Sequence, residues 1–296
     1  MKQTNRRNFF KLFAGASALL TTLPSSLLAS KEASKSAAPN EVPKATGPSS
    51  FENLPQFLTP GTLSVIAGRP SMGKTSFLMR LTNHYALGKK KKIAIFSLES
   101  TEGMMRLNLI CNHAGVARLR LRGDNISEEE IDRLMNAVSE ISKSSISIND
   151  NSDTNVSYIK KVAVDHLNSR GLDLIIIDYF QLLKPSGTSI SRQVHFEVLA
   201  SELKRLASDL GVPIIVASQV SRVTEEKADK RPKLGSGLVT AALERHSDIF
   251  CTLYRESYYD ETSRDHNLEL AVLKNNLGPT GTLKFEWDLM GGRVHT

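Results

Sequence analysis

The residues best placed to do chemistry lie in one run, Gly68-Arg69-Pro70-Ser71-Met72-Gly73-Lys74-Thr75. A glycine, four variable residues, then glycine, lysine and a hydroxyl residue is the spacing of a phosphate-binding loop. Backbone N–H groups of such a loop, at the start of a helix, converge on phosphate oxygens. Lys74 then reaches the β- and γ-phosphates of a nucleotide, and the Thr75 hydroxyl is a ligand for Mg²⁺. The flanks suit this: Leu63–Ala67 reads as a strand and Thr75–Leu81 as an amphipathic helix.

Three further polar residues each end an apolar run. Asp178 follows Leu174-Ile175-Ile176-Ile177, and the C-terminal end of a buried strand is where an open sheet places groups for a ligand. There it holds Mg²⁺ or its water shell. Glu99 ends the strand that starts at Ile93, in position to orient a water near a γ-phosphate. Gln219 ends the run Ile214–Ser218, and its amide can touch the same phosphate. Taken singly, each is also an ordinary cap or loop residue. Their order after a phosphate loop is what gives them weight.

The elements that must carry these residues alternate. Strands are expected at Leu63–Ala67, Ile93–Ser97, Ile146–Ile148, Leu172–Asp178, Pro213–Ser218, Ile249–Tyr254, Leu268–Leu273 and Thr282–Phe285. The runs at Leu174–Ile177 and Ile214–Ala217 do not alternate polar with apolar, which is the pattern of parallel strands covered on both faces. Helices are expected at Lys74–Ala86, Ser127–Ser142, Val156–Asn168 and Phe196–Leu210, the last stopped by Gly211. Strand–helix alternation argues one α/β domain over 51–296, a mostly parallel sheet sandwiched by helices with a C-terminal antiparallel hairpin.

Composition narrows the class. The chain has 296 residues, 40% hydrophobic and 23% charged, which excludes collagen-like and wholly disordered chains. It contains no run of about 18 apolar residues, so stable membrane insertion is not expected. Cys111 and Cys251 are the only cysteines, and they form neither a disulfide framework nor a zinc spacing. The net charge of +7 is uneven: seven bases and two acids fall in the first fifty residues, leaving +2 for the rest. Bulk basicity therefore belongs to the N-terminal segment, and any contact with nucleic acid must rest on local patches.

Residues 1–29 read as a leader. Lys2, Arg6, Arg7 and Lys11 precede a short, mildly apolar stretch, and Asn5-Arg6-Arg7-Asn8-Phe9-Phe10-Lys11 resembles the twin-arginine export signal. A basic amphipathic arm is the alternative. Residues 30–50, mostly Ala, Ser, Pro and Lys, read as a flexible linker.

These motifs together, from about Thr46 to Phe285, resemble the C-terminal ATPase domain of DnaB-type replicative DNA helicases, within the RecA-like P-loop group. Gly68 to Thr75 is similar to that family's phosphate loop, including the Arg69-Pro70 pair. Phe96-Ser97-Leu98-Glu99 resembles its F-S-L-E element, Ile177-Asp178-Tyr179-Phe180-Gln181-Leu182 its I-D-Y-L-Q-L, and Ser218-Gln219 its S-Q-L. Lys230-Arg231-Pro232, Leu253-Tyr254-Arg255 and Gly278-Pro279-Thr280-Gly281 match later blocks. The resemblance implies a motor that hydrolyses ATP with Mg²⁺, with Glu99, Lys74 and Gln219 serving catalysis and Thr75 and Asp178 the metal. It also implies a ring of subunits around single-stranded DNA. The DNA loops would carry Lys184, Arg192, Arg222, Lys227, Lys230, Arg231 and Lys233.

The departures are specific. The family's hairpin arginine, which reaches a neighbour's γ-phosphate, is Asn276, and a second arginine is Leu238. An export-like leader stands where the family has a helical N-terminal domain. An accessory or degenerate ATPase, with a regulatory or assembly role beside a related helicase and no unwinding, is therefore a second expectation. The need for ATP favours the cytoplasm, while the leader leaves export open.

Overall fold

Buried apolar runs set the strands: β1 Leu63–Gly68, β2 Ile93–Ser97, β3 Ile146–Asn149, β4 Leu174–Asp178, β5 Ile214–Gln219, β6 Ile249–Tyr254, β7 Asn267–Asn275, β8 Gly281–Asp288 and β9 Arg293–His295. The computed structural model describes residues 51–122, 126–185, 191–220, 229–235, 237–260, 262–288 and 293–295. The leader and the linker, with Arg222 and Lys227, lie outside the described residues.

Among the described residues the strands form one sheet in the order β3-β2-β4-β5-β1-β6-β7-β8-β9. From β3 to β6 all neighbours are parallel. From β6 to β9 they are antiparallel. The expected hairpin is β7–β8, and β9 extends it by a strand too short to read from sequence. Strands β1, β2, β4 and β6 are buried along their whole length, as runs covered on both faces must be.

Among the described residues six helices supply the cover: α1 Lys74–Asn83, α2 Glu102–Ala114, α3 Glu128–Ser142, α4 Val156–Ser169, α5 Arg192–Leu210 and α6 Leu238–His246. Side chains alternate across each strand. Leu63, Val65 and Ala67 of β1 join Ile159 of α4, Leu203 of α5 and Leu243 of α6 in one core layer. Helices α1, α2 and α3 pack in series. The caps follow local chemistry. Ser127 and Glu130 form a capping box on α3, and Gly211 in the left-handed region stops α5.

The expected helix at Lys74–Ala86 ends as an α-helix at Asn83 and continues as a π turn, His84–Gly88. Helix α5 begins at Arg192, four residues before the expected start, because Ser191 caps it.

Two anchors hold the ends of this frame. Phe51, Leu54 and Phe57 are buried, and the Phe51 ring lies 4.9 Å from Phe285 and 5.2 Å from Phe77 of α1. Asp248 accepts hydrogen bonds from Leu63 N and Lys204 Nζ, both at 2.8 Å, tying the start of β1 to α5 and β6.

Candidate functional site

Strands β1, β2, β4 and β5 all deliver their C-terminal ends to one edge. Ser97 sits opposite Asp178 and Gly68 opposite Gln219 in strand register. This brings the phosphate loop, Glu99, Asp178 and Gln219 around one cleft of about 360 Å³. That size lies within the range of small-molecule sites.

The loop geometry is that of a phosphate cradle. Gly73 has φ +101° and serves as N-cap of α1 with no side-chain cap. A helix start leaves its first N–H groups without intrahelical partners, and the helix dipole favours an anion there. The Trp287 ring packs directly on Gly73, so an added Cβ would meet its carbons at 2.6 and 2.7 Å. Both the dihedral and the close approach demand glycine.

Lys74 is buried, and its Nζ donates to the Gly68 and Arg69 carbonyls at 3.0 Å each. Burial pulls its pKa down to about 8, against the raising pull of Asp178 and Glu99; Arg69 adds a further downward push. Asp178 is buried too, and burial raises its pKa. Its Oδ2 accepts from Thr75 Oγ1 at 2.9 Å. A buried carboxylate beside a threonine hydroxyl and a lysine amine is a charge arrangement that a divalent cation with its phosphates would complete. Among the described residues no group of three or more His, Cys, Asp or Glu gathers for a metal. A light donor set fits Mg²⁺, which keeps several waters and leans on substrate phosphates.

Glu99 is exposed on the cleft wall just after β2. Its turn is fixed by the Ser97 hydroxyl, which donates to Ser100 O at 2.6 Å, and by Leu98 N, which donates to Asp178 O at 2.8 Å. Gln219 ends β5 and is hydrogen-bonded to the Tyr179 side chain. Gln181 binds the same strand end twice: its Nε2 donates to Gln219 O at 2.9 Å and its Oε1 accepts from Gln219 N at 3.2 Å.

Arg255 and Trp287 were not legible as site residues in the sequence. Arg255, just past β6, donates from Nη2 to Ser71 O at 2.7 Å and from Nε to Met72 O at 3.3 Å. Its guanidinium lies 4.2 Å from the centre of the Trp287 ring. This pair clamps the loop from the side opposite Asp178. Arg69 adds a third hold, donating to Val220 O at 3.1 Å. In the sequence Arg255 stood out only within the Leu253-Tyr254-Arg255 block, with no role attached, and Trp287 only as the chain's single Trp.

The expected loop bases divide. Lys184 and Arg192 are exposed beside the ends of β4 and α5. Lys230 lies 4.6 Å over the Tyr259 ring, and Arg231 lies 4.3 Å over Tyr254 while donating to Glu269 at 2.8 and 3.2 Å. Sequence shows no aromatic within these loops, yet the fold brings tyrosines from β6 and beyond to them. Lys233 pairs with Asp229 at 3.2 Å.

At the hairpin, Lys274 Nζ donates to Glu244 O at 2.7 Å, which commits it to the C-terminal end of α6. Asn275 Nδ2 donates to Pro279 O at 3.0 Å, and Asn276 N donates to Asp248 O at 2.9 Å. Leu238, at the start of α6, is 56% exposed.

A family model described as the DnaB-like helicase C terminal domain matches residues 45–294. The chain is 33% identical over 240 residues to the replicative DNA helicase DnaC of Bacillus subtilis (strain 168), covering 80% of this chain and 53% of that protein. It is 32% identical over 241 residues to the replicative DNA helicase DnaB of Geobacillus stearothermophilus, covering 81% and 53%. The chain thus spans about half the length of these curated relatives. Among solved structures, one described as an ATPase domain superposes with a TM-score of 0.78 at 26% identity, covering 98% of this chain and 97% of that one. A DnaB-like replicative helicase, described with its interactions with primase, gives a TM-score of 0.79 at 28% identity and covers 88% and 62%.

Proposed function

The chain belongs to the DnaB-like helicase C-terminal domain family, and from that premise we propose that it binds and hydrolyses ATP with Mg²⁺ as a motor domain acting on single-stranded DNA in replication. The observation that carries this reading is the 2.9 Å hydrogen bond between Thr75 and the buried Asp178, with Lys74 beside them at the start of α1. When bound, Mg²⁺·ATP supplies the phosphoryl group and a cation to neutralise its charge. The loop amides and Lys74 hold the phosphate oxygens. Thr75 and Asp178 hold the metal. Glu99 takes a proton from the attacking water, and Gln219 reads the γ-phosphate and passes its state through Gln181 to the loops after β4 and β5. Arg255 braces the loop through the Ser71 and Met72 carbonyls, and Trp287 lines the cleft beside Gly73.

Single-stranded DNA, the partner we propose, meets Lys184, Arg192 and their neighbours by phosphate contacts. Subunits of a homo-oligomer, or of a related helicase, complete the assembly. The cytoplasm, where ATP is abundant, is the compartment that fits. A specific observation favours a slow motor: Asn276 is neutral, and Lys274 is committed to α6. The test is the ATP hydrolysis rate of the wild type and of Glu99→Gln, with and without a poly-dT strand. Measurable turnover that DNA stimulates and E99Q abolishes supports the motor. Tight ATP binding with no turnover in either protein would leave a nucleotide-binding accessory protein instead.

A further inference from the structure

The edge of the sheet opposite the phosphate loop carries positive charge that the nucleotide cleft does not use. Lys89-Lys90-Lys91-Lys92 lead into β2, Lys143 caps α3 just before β3, and Arg170 caps α4 just before β4. Strands β3, β2 and β4 are neighbours in that order. With adjacent strands about 4.8 Å apart, six bases converge on an edge on the order of 10 Å wide.

Acids offset only part of this charge. Glu52 pairs with Lys89 at 2.8 Å. Asp173 pairs with Lys91 at 3.2 Å and takes the Lys92 N–H at 2.8 Å. Asp165 stands on the last turn of α4 beside His166. Lys90 and Lys143 remain exposed, and Lys90 sits in the left-handed region at φ +55°. The Lys92 amine lies 3.0 Å from where a Cβ on Gly171 would be, so its stem folds across the residue next to Arg170. Arg170 Nε and Nη2 are shielded from water and meet no hydrogen-bond partner. These shielded donors add positive charge behind the surface, and the exposed Lys90 and Lys143 amines are where an anion can dock.

The chemistry of that anion follows from what the edge lacks. The exposed large apolar side chains, such as Met104, Leu119 and Val194, fall outside these segments. Protein partners dock through buried aromatic or aliphatic anchors. A phosphodiester backbone needs only charges, and flexible lysines meet it without sequence preference. We propose that this edge binds a nucleic-acid phosphate backbone, as a surface separate from the loops after β4 and β5.

The test is fluorescence anisotropy of a fluorescein-labelled poly-dT oligonucleotide titrated with the full chain at several salt concentrations. The variants are Lys90→Glu with Lys143→Glu, both on exposed side chains, and Lys184→Glu with Arg192→Glu at the loops. The edge variant is expected to bind at least about tenfold more weakly at low salt. Its salt slope should become shallower by about 1.4, since each single-strand phosphate left unneutralised takes about 0.7 off the slope. DNA-free ATP turnover and the thermal midpoint should not change. K90Q with K143Q should fall between. An edge variant that keeps the wild-type affinity and slope overturns the proposal, as does a wild type that does not bind the strand at low salt. If poly-glutamate binds in a Lys90-dependent way and the oligonucleotide does not, the edge is a protein dock and the proposal fails. Weakened binding in the loop variant alone also overturns it, while leaving the loop reading of the motor intact.

Discussion

Lys74 holds the balance between burial and charge in the cleft. Its pKa in the free protein falls from 10.5 to about 8, chiefly through burial. The sign is then fixed. Below pH 8 the amine is charged and ready for phosphate; above it the free protein loses that charge, and binding ATP must take up a proton. Nucleotide affinity should therefore be flat below pH 8 and weaken by up to about tenfold per pH unit above it. Lys74→Arg, whose side chain stays charged, should be flat throughout. Fluorescent-nucleotide titrations from pH 6.5 to 9.5 check this, and a flat wild-type profile contradicts it. At the neighbouring carboxylate, Glu99→Gln should bind ATP normally and turn over at least about a hundredfold more slowly, as general-base losses do. Loss of binding and rate together would make Glu99 a metal-shell residue. These two residues were legible in the sequence because loop, lysine and strand-end acids are local patterns. Arg255 and Trp287 were not. They reach Ser71, Met72 and Gly73 only when β6 has paired with β1 and β8 has joined the same sheet through β7, and no local spacing encodes that.

At the scale of elements, buried strands were legible because runs such as Leu174–Ile177 have few other uses. Helices α2 and α6 were less so. Helix α2 has a Thr101 cap and a left-handed Gly115 stop, but its apolar residues spread around the axis, with Met104 exposed and Met105 buried. Helix α6 has nine residues and follows the glycines at 235 and 237, which read as loop. The elements depend on buried polar joints as well as apolar runs. Asp248→Ala removes the acceptor for Leu63 N at the start of β1 and takes from Lys204 Nζ its ion-pair partner, leaving that amine only Gly61 O at 3.0 Å. It should cost about 1–3 kcal/mol, read as a lower urea midpoint with an unchanged m-value. An unchanged midpoint would mean water replaces the carboxylate fully. The hairpin joint makes a functional prediction. Asn276→Arg restores a forked cation to a turn whose lysine is committed to α6. If subunits assemble with the hairpin at a neighbour's nucleotide, turnover should rise steeply with protein concentration, toward the range of about 10³–10⁵ that such arginines supply. A wild-type rate that is already fast and concentration-dependent would show that another cation fills that role.

The whole molecule ties these joints to one cleft, and its single tryptophan stands at the cleft wall. Trp287 touches Gly73 of the phosphate loop and stacks on Arg255, which holds the loop carbonyls. Nucleotide entering the cradle must change the surroundings of that indole. The central claim, that this cleft is where ATP binds, is therefore tested most directly by titrating Trp287 emission with Mg²⁺·ATP in the wild type and in Lys74→Ala. The lysine contact is charge-assisted, worth about 1.5–3 kcal/mol, so removing it should weaken binding at least about tenfold. The expected result is a saturable emission change in the wild type, shifted to much higher ATP or abolished in a K74A protein that remains folded. Saturable ATP binding by calorimetry with no change at Trp287, or equal affinity in K74A, would put the nucleotide elsewhere and contradict the account.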